Sequence, residues 1–195
     1  KPTLAGLEQN EGMPGIIYFL KTVAKIDYNA FTMANYIVFV RMMAYYTWDK
    51  IIDFLYLGQY YADQYDLNWG DAADQLFGDF FISCAAIDFI NNITQTDANP
   101  TFFYYFNHRS KIDKDPRYTE VMHGAELQYL FGRTFAVPKE YNEDDRSMSQ
   151  RLMKMWTSFI KTGVPDKEWL KYTTETFSVN TLEMDHEKNF CEAKK

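Results

Sequence analysis

His123 is the side chain in this sequence best suited to acid–base work. A neutral imidazole accepts a proton near neutral pH, and a neighbouring carboxylate fixes its tautomer and stabilises the charged ring. Gly124 beside it permits tight backbone geometry, and the surface loop expected over 113–119 lets the ring reach a site built by distant parts of the chain. Three acids compete to be its partner. Glu11 sits in the polar turn Glu8-Gln9-Asn10-Glu11-Gly12 and reaches the imidazole if the strand ending at Leu7 lies near the strand ending at Phe106. Glu8 is the fallback on the same turn. Glu126 follows His123 by three residues and fits the start of a helix at least as well as a catalytic pair.

The other candidates are weaker. His108 follows an aromatic strand and precedes Arg109, which favours a hydrogen bond or ion pair at a strand end over proton transfer. His186 has acidic neighbours that would raise its proton affinity, but no ligand spacing for a metal. None of Ser83, Ser110, Ser147, Ser149, Ser158 or Ser178 has the flanking glycines of a GxSxG nucleophile elbow. A Gly-rich phosphate loop, HExxH and paired-Cys metal spacing are all missing from the sequence. Either catalysis is absent, or its essential parts arrive on another segment.

The elements that would hold these residues follow from pattern. A short strand over 4–7 ends in the polar turn, and Gly12, Pro14 and Gly15 are expected to prevent an immediate regular helix. The apolar stretch 29–57 reads as helices broken at 47–49. From Asp71, the spacing of Leu76, Phe77, Phe80, Phe81, Cys84, Ile87 and Ile90 predicts a helix with one broad apolar face, Asp88 outside it and an end near 91–92. The run Thr101-Phe102-Phe103-Tyr104-Tyr105-Phe106 predicts a buried strand. A helix follows Glu143-Asp144-Asp145, carries Met148, Leu152, Met155, Trp156, Phe159 and Ile160, and stops at Thr162-Gly163. Its methionines read as core filling. No linker, repeat or second-domain boundary stands out.

Composition narrows the function. A net charge of -7 offers no basic footprint, so nucleic acid is not an expected partner. The stretches 36–46 and 51–57 are too short and too charged to span a bilayer, which reads as a soluble chain. The first residues show no secretory signal, and the lack of an initiating Met fits processing or trimming. Cys84 and Cys191 read equally as a long-range disulfide or as two buried thiols, and Asn92-Ile93-Thr94 is a glycosylation sequon of a kind common by chance.

Four blocks occur together and in order: GLEQNEG at 6–12, FFYYFNHR at 102–109, HGAELQYLFG at 123–132 and MWTSFIKTGVPDKEW at 155–169. They resemble the C-terminal third of the cholinesterase and carboxylesterase family. The resemblance implies an α/β chain, the C-terminal portion of an α/β-hydrolase fold, with 1–195 one part of a catalytic domain that needs upstream strands and helices. It implies Glu11 as triad acid and His123 as general base, with the serine and glycine-rich oxyanion hole upstream, in the order serine, acid, histidine. The isolated chain is then expected to be inactive. The resemblance also implies a Cys84–Cys191 disulfide, a glycan at Asn92, a secreted or extracellular location, and no cofactor or metal. Expected partners are an upstream segment or chain, a small-molecule ester and a second copy of the chain. Met13-Pro14-Gly15-Ile16 departs from the aromatics that cholinesterases carry just after the acid, which favours a broader carboxylic-ester hydrolase. The family also holds noncatalytic adhesion relatives, the alternative reading.

Overall fold

The computed structural model describes residues 1–46, 51–65, 68–96, 98–112 and 119–182. They fall into two compact units, one of Lys1–Gln9 and Ala86–Lys195, the other of Asn10–Ala85.

The first unit is built on a parallel sheet of β1 (Thr3–Glu8), β2 (Thr101–Phe106) and β3 (Asn180–Leu182), in that spatial order. Thr3 pairs with Thr101 and the register runs to Glu8 opposite Phe106. Parallel strands cannot be joined by a tight turn, so a long crossover must separate them. Strand β2 is buried on both faces, which is why it reads as an unbroken aromatic run rather than an alternating one. On one face Phe102 meets Phe159 and Tyr104 meets Trp156, with ring centroids 6.4 and 5.1 Å apart. On the other, Phe103 packs on Tyr172 at 5.7 Å. The Tyr104 ring lies over Gly6, where a Cβ would come within 2.4 Å of it.

Helix α8 (Glu143–Thr162) covers this sheet, burying Met148, Leu152 and Met155 with Phe106, Val121, Tyr129 and Leu182. Short helices α6 (Leu127–Leu130) and α7 (Arg133–Ala136) pack against it. It begins with a capping box between Asn142 and Asp145 and ends at Gly163, whose φ of 77° suits glycine. Asp145 is fully buried. Its carboxylate accepts from Ser110 Oγ at 2.6 Å and the Asn142 amide at 2.9 Å, and shares a 3.0 Å hydrogen bond with His108 Nε2. The helix start is thereby tied to the chain leaving β2.

The second unit is helical: α1 (Met13–Tyr18), α2 (Met33–Tyr46), α3 (Ile51–Gln64) and α4 (Trp69–Gly78), with π-helical turns at Phe19–Ala24 and Asp79–Ser83. Its core gathers Met13, Ile16, Phe19, Phe39, Ala72, Ala73 and Leu76, with Phe19 edge-on to Phe39 at 5.3 Å. Tyr36 crosses between helices and donates its hydroxyl to the Gly58 carbonyl at 2.6 Å. Burial pushes the Tyr36 phenol above its ordinary range.

Two expectations need correction. A helix does begin directly after Gly12, because Pro14 falls in its first turn, where a missing N–H goes unneeded, and Gly15 makes room for the Phe77 ring. The helix from Asp71 is not one regular face: α4 gives way to the π turn and then to α5 (Cys84–Thr96), which ends at Thr96. A π turn carries an extra residue, which rotates the chain, and Phe81 and Cys84 are exposed instead of buried. The run Trp69–Thr96 is by length and composition apolar enough to cross a membrane, which the shorter apolar stretches are not. Its first part is nevertheless a core helix that buries Ala72, Ala73 and Leu76. Thr119 is buried, whereas 113–118 of the expected surface loop lie outside the described residues.

Replacing Asp145 with alanine leaves His108, Ser110 and the Asn142 amide without their acceptor and removes a helix cap. The expected loss is roughly 3 kcal/mol of folding stability, read from denaturant unfolding of the intact protein that carries this chain.

Candidate active site

Strand β1 buries Leu7 and Glu8 at its exit, and the chain then turns through Gln9 and Asn10. Glu11 is 4% exposed and belongs to the second unit, which begins at Asn10. His123 lies in the first unit, where a tight turn presents it: Gly124 takes a φ of 81°, and the Ala125 amide donates to the Met122 carbonyl at 2.9 Å. Ala125 packs against the core while the His123 side chain stays 55% exposed. The ring is thus held by its backbone and open to a reactant.

Within this unit the carboxylate nearest the imidazole is Glu8. Its Oε2 lies 3.9 Å from His123 Nδ1, and the side chain is only 6% exposed. That distance is an ion-pair contact and too long for a hydrogen bond. Glu126 stands at the start of α6, as its spacing suggested, without a side-chain capping bond, and its Oε2 is buried with no hydrogen-bond partner among the described residues. His108 is buried against Tyr129, with ring centroids 5.1 Å apart, and is committed to Asp145. Its expected strand-end bonding role therefore holds. Ser110, also set aside from the sequence, spends its hydroxyl on the same aspartate.

Asp145 and Asp74 are the charged residues that sequence reasoning missed. The pattern Asn142-x-x-Asp145 is a legible capping signal, but its link to His108 is not local. Asp74 carries no local signal at all. It lies on α4, fully buried, and accepts a hydrogen bond from Asn10 Nδ2 at 2.6 Å. Burial raises its pKa from 3.8 to about 7; the Asn10 bond and the Gly12 backbone amide oppose that rise, while the nearby charges of Asp71 and Asp79 add to it. Tyr65 also faces this acidic group and is pushed up to about 12, chiefly by burial.

Cys84 begins α5 and is exposed, while Cys191 and His186 lie outside the described residues, as does the expected disulfide pairing. Asn92 is exposed on α5, its amide donating to the Asp88 carbonyl at 2.8 Å.

Helices packed on a parallel sheet define an α/β chain, and at the exit of β1 the Glu8 carboxylate meets the His123 imidazole. The carboxylesterase family model matches residues 1–195, and the chain belongs to the carboxylesterase family. An acetylcholinesterase 1 from Caenorhabditis briggsae is 32% identical over 117 residues, covering 55% of this chain and 19% of that protein. A cholinesterase from Mus musculus is 35% identical over 96 residues, covering 49% of this chain and 16% of that protein. The chain thus spans less than a fifth of the length of the curated relatives it matches.

The raised Asp74 carboxyl has a stability consequence with a definite sign. The unfolded chain releases this proton near pH 3.8 and the folded chain near 7, so folding holds the proton between those values. Its contribution is full below pH 3.8, shrinks as pH rises, and is flat above about 7. Relative to Asp74→Asn, the wild-type protein should lose roughly 2–3 kcal/mol of stability between pH 5 and pH 8, measured by denaturant unfolding at both pH values.

Proposed function

We propose that this chain is the C-terminal part of the catalytic domain of a serine carboxylesterase with an α/β-hydrolase fold, supplying the acid and histidine of a Ser-Glu-His triad whose serine lies on an upstream segment. The observation that carries the reading is the meeting of the β1 exit with His123, Glu8 lying 3.9 Å from the imidazole and Glu11 three residues further along the same turn. Family membership over residues 1–195 supports it independently.

In this reading His123 takes the serine proton as the serine attacks the ester carbonyl. It then protonates the leaving alcohol and activates water for deacylation. Glu11 fixes the ring and stabilises its charged form. Backbone donors on the upstream segment hold the oxyanion, an interaction worth about 3 kcal/mol per donor. The substrate is a small carboxylic ester. Met13 and Ile16, which stand where cholinesterases carry aromatics, are fully buried in the core of their unit, in keeping with a substrate range broader than choline esters.

Two features support an upstream partner segment. Among the described residues β1 and β3 are the outer strands of the sheet, each with an edge able to pair with further strands. The first unit also exposes Phe131, Ile160 and Leu170 by 79, 80 and 62%, apolar surface of the sort a larger domain covers. An exported, disulfide-bonded glycoprotein is part of the same proposal, as is inactivity of the isolated chain. The second reading is a noncatalytic adhesion or recognition relative, in which Glu11 and His123 persist through packing or ancestry.

A fluorophosphonate probe applied to the intact protein, followed by peptide mass spectrometry, separates the two readings. The expected result is an adduct on an upstream serine. His123→Ala should slow labelling and ester turnover by roughly 10³-fold or more, Glu11→Gln by roughly 10²-fold or more, and Glu8→Gln by no more than a few-fold. Absence of an adduct, with a control esterase labelled, would establish the noncatalytic reading. A larger loss from Glu8→Gln than from Glu11→Gln would move the acid role to Glu8.

A further inference from the structure

The turn that carries Glu11 is gripped on both sides of that residue by α4. Before it, Asn10 Nδ2 donates to Asp74 Oδ2 at 2.6 Å, and both side chains are buried. After it, Gly12 lies directly on the helix backbone. A Cβ at Gly12 would stand 2.0 Å from the Asp74 carbonyl oxygen and 2.7 Å from the Gly78 nitrogen. From the helix side, a Cβ at Gly78 would come within 2.8 Å of the Gly12 nitrogen and 3.1 Å of Glu11 Cβ. Helix α4 is itself anchored, with Tyr28 donating its hydroxyl to Asp71 at 2.6 Å and Asn68 capping the first turn.

A carboxyl group in such a dry place is costly, and an apolar side chain would fill the same volume at less expense to stability. What an apolar side chain lacks is an acceptor for Asn10. We propose that Asp74 is a positioning residue for ester hydrolysis: by holding Asn10 against α4 it fixes the turn that sets the Glu11 carboxylate. The proposal rests on Glu11 being the triad acid.

The polar inventory of the pair indicates which substitution should be tolerated. Asn10 Oδ1 and Asp74 Oδ1 are both buried and lack hydrogen-bond partners among the described residues. Asparagine at position 74 keeps an acceptor for the Asn10 amide and adds a donor of its own, so it preserves the grip. Alanine removes both and leaves a void beside the turn. A misplacement of about 1 Å near reacting groups is enough to cost roughly 10²-fold in rate.

The test uses the intact protein, its active sites counted by complete reaction with a fluorophosphonate probe, and kcat and KM measured on a small neutral ester. Asp74→Ala is expected to lower kcat per counted site by roughly 10–100-fold with KM within about 3-fold, Asp74→Asn to stay within about 3-fold of wild type, and Asn10→Ala to behave like Asp74→Ala. Should Asp74→Ala fail to fold, Asn10→Ala and Asp74→Asn carry the comparison. The proposal is overturned if the alanine variants keep kcat per counted site and lose only folded protein, or if Asp74→Asn loses as much as the alanine variants. A Glu11→Gln variant in the same assay separates the two levels: no loss there sinks the assignment of Glu11, whereas a large loss there with full activity in the alanine variants sinks this proposal alone.

Discussion

The parallel pairing of β1 with β2 is the constraint from which the site follows. It sets Glu8 opposite Phe106, so the two strands end together and the chain leaving each begins at the same edge of the sheet. Parallel pairing also demands a long connection, and the helices between Gln9 and Thr101 provide it. The interaction is driven by β2, whose aromatic side chains are buried on both faces and would cost heavily if left in water. Gly6 belongs to the same constraint, since a side chain there would displace the Tyr104 ring.

Each unit uses a glycine to set a side chain beside a rigid element. Gly124 lets the chain reverse right after His123, so the backbone is fixed by Ala125 in the core while the imidazole stays accessible. Gly12 lets α4 approach the Glu11 turn more closely than any other residue would allow. A backbone fixed by the core beside an accessible imidazole is the preorganisation that the proposed general-base role of His123 would use.

Two buried aspartates show how differently the same group can be held. Asp145 is surrounded by donors, from His108, Ser110 and Asn142, and it links the start of α8 to the exit of β2. Among the described residues Asp74 has one side-chain donor, Asn10, and keeps one oxygen without a partner, so burial dominates and its pKa rises to about 7. The first has protein donors where water would otherwise stand. The second sits where neutralisation is the cheaper response to a dry environment.

The sequence by itself determined what depends on near neighbours. The aromatic run of β2, the acidic start and glycine stop of α8, the Glu126 helix start and the four ordered family blocks were all legible, because each is written within a turn or two of chain. It also singled out Glu11 and His123 as the pair to watch, and His108 as a bonding residue. It misjudged the segment after Gly12 and the face of the Asp71 helix, where Gly15 answers a distant Phe77 and a π turn shifts the register. Strand β3 is too short to leave a periodic signal and exists because β2 offers it an edge. Only the tertiary structure brought Glu8 to His123, gave His108 its aspartate, and set Asp74 under Asn10. Those contacts join residues far apart in the chain, and their strength comes from burial and exclusion of water, which no local pattern encodes.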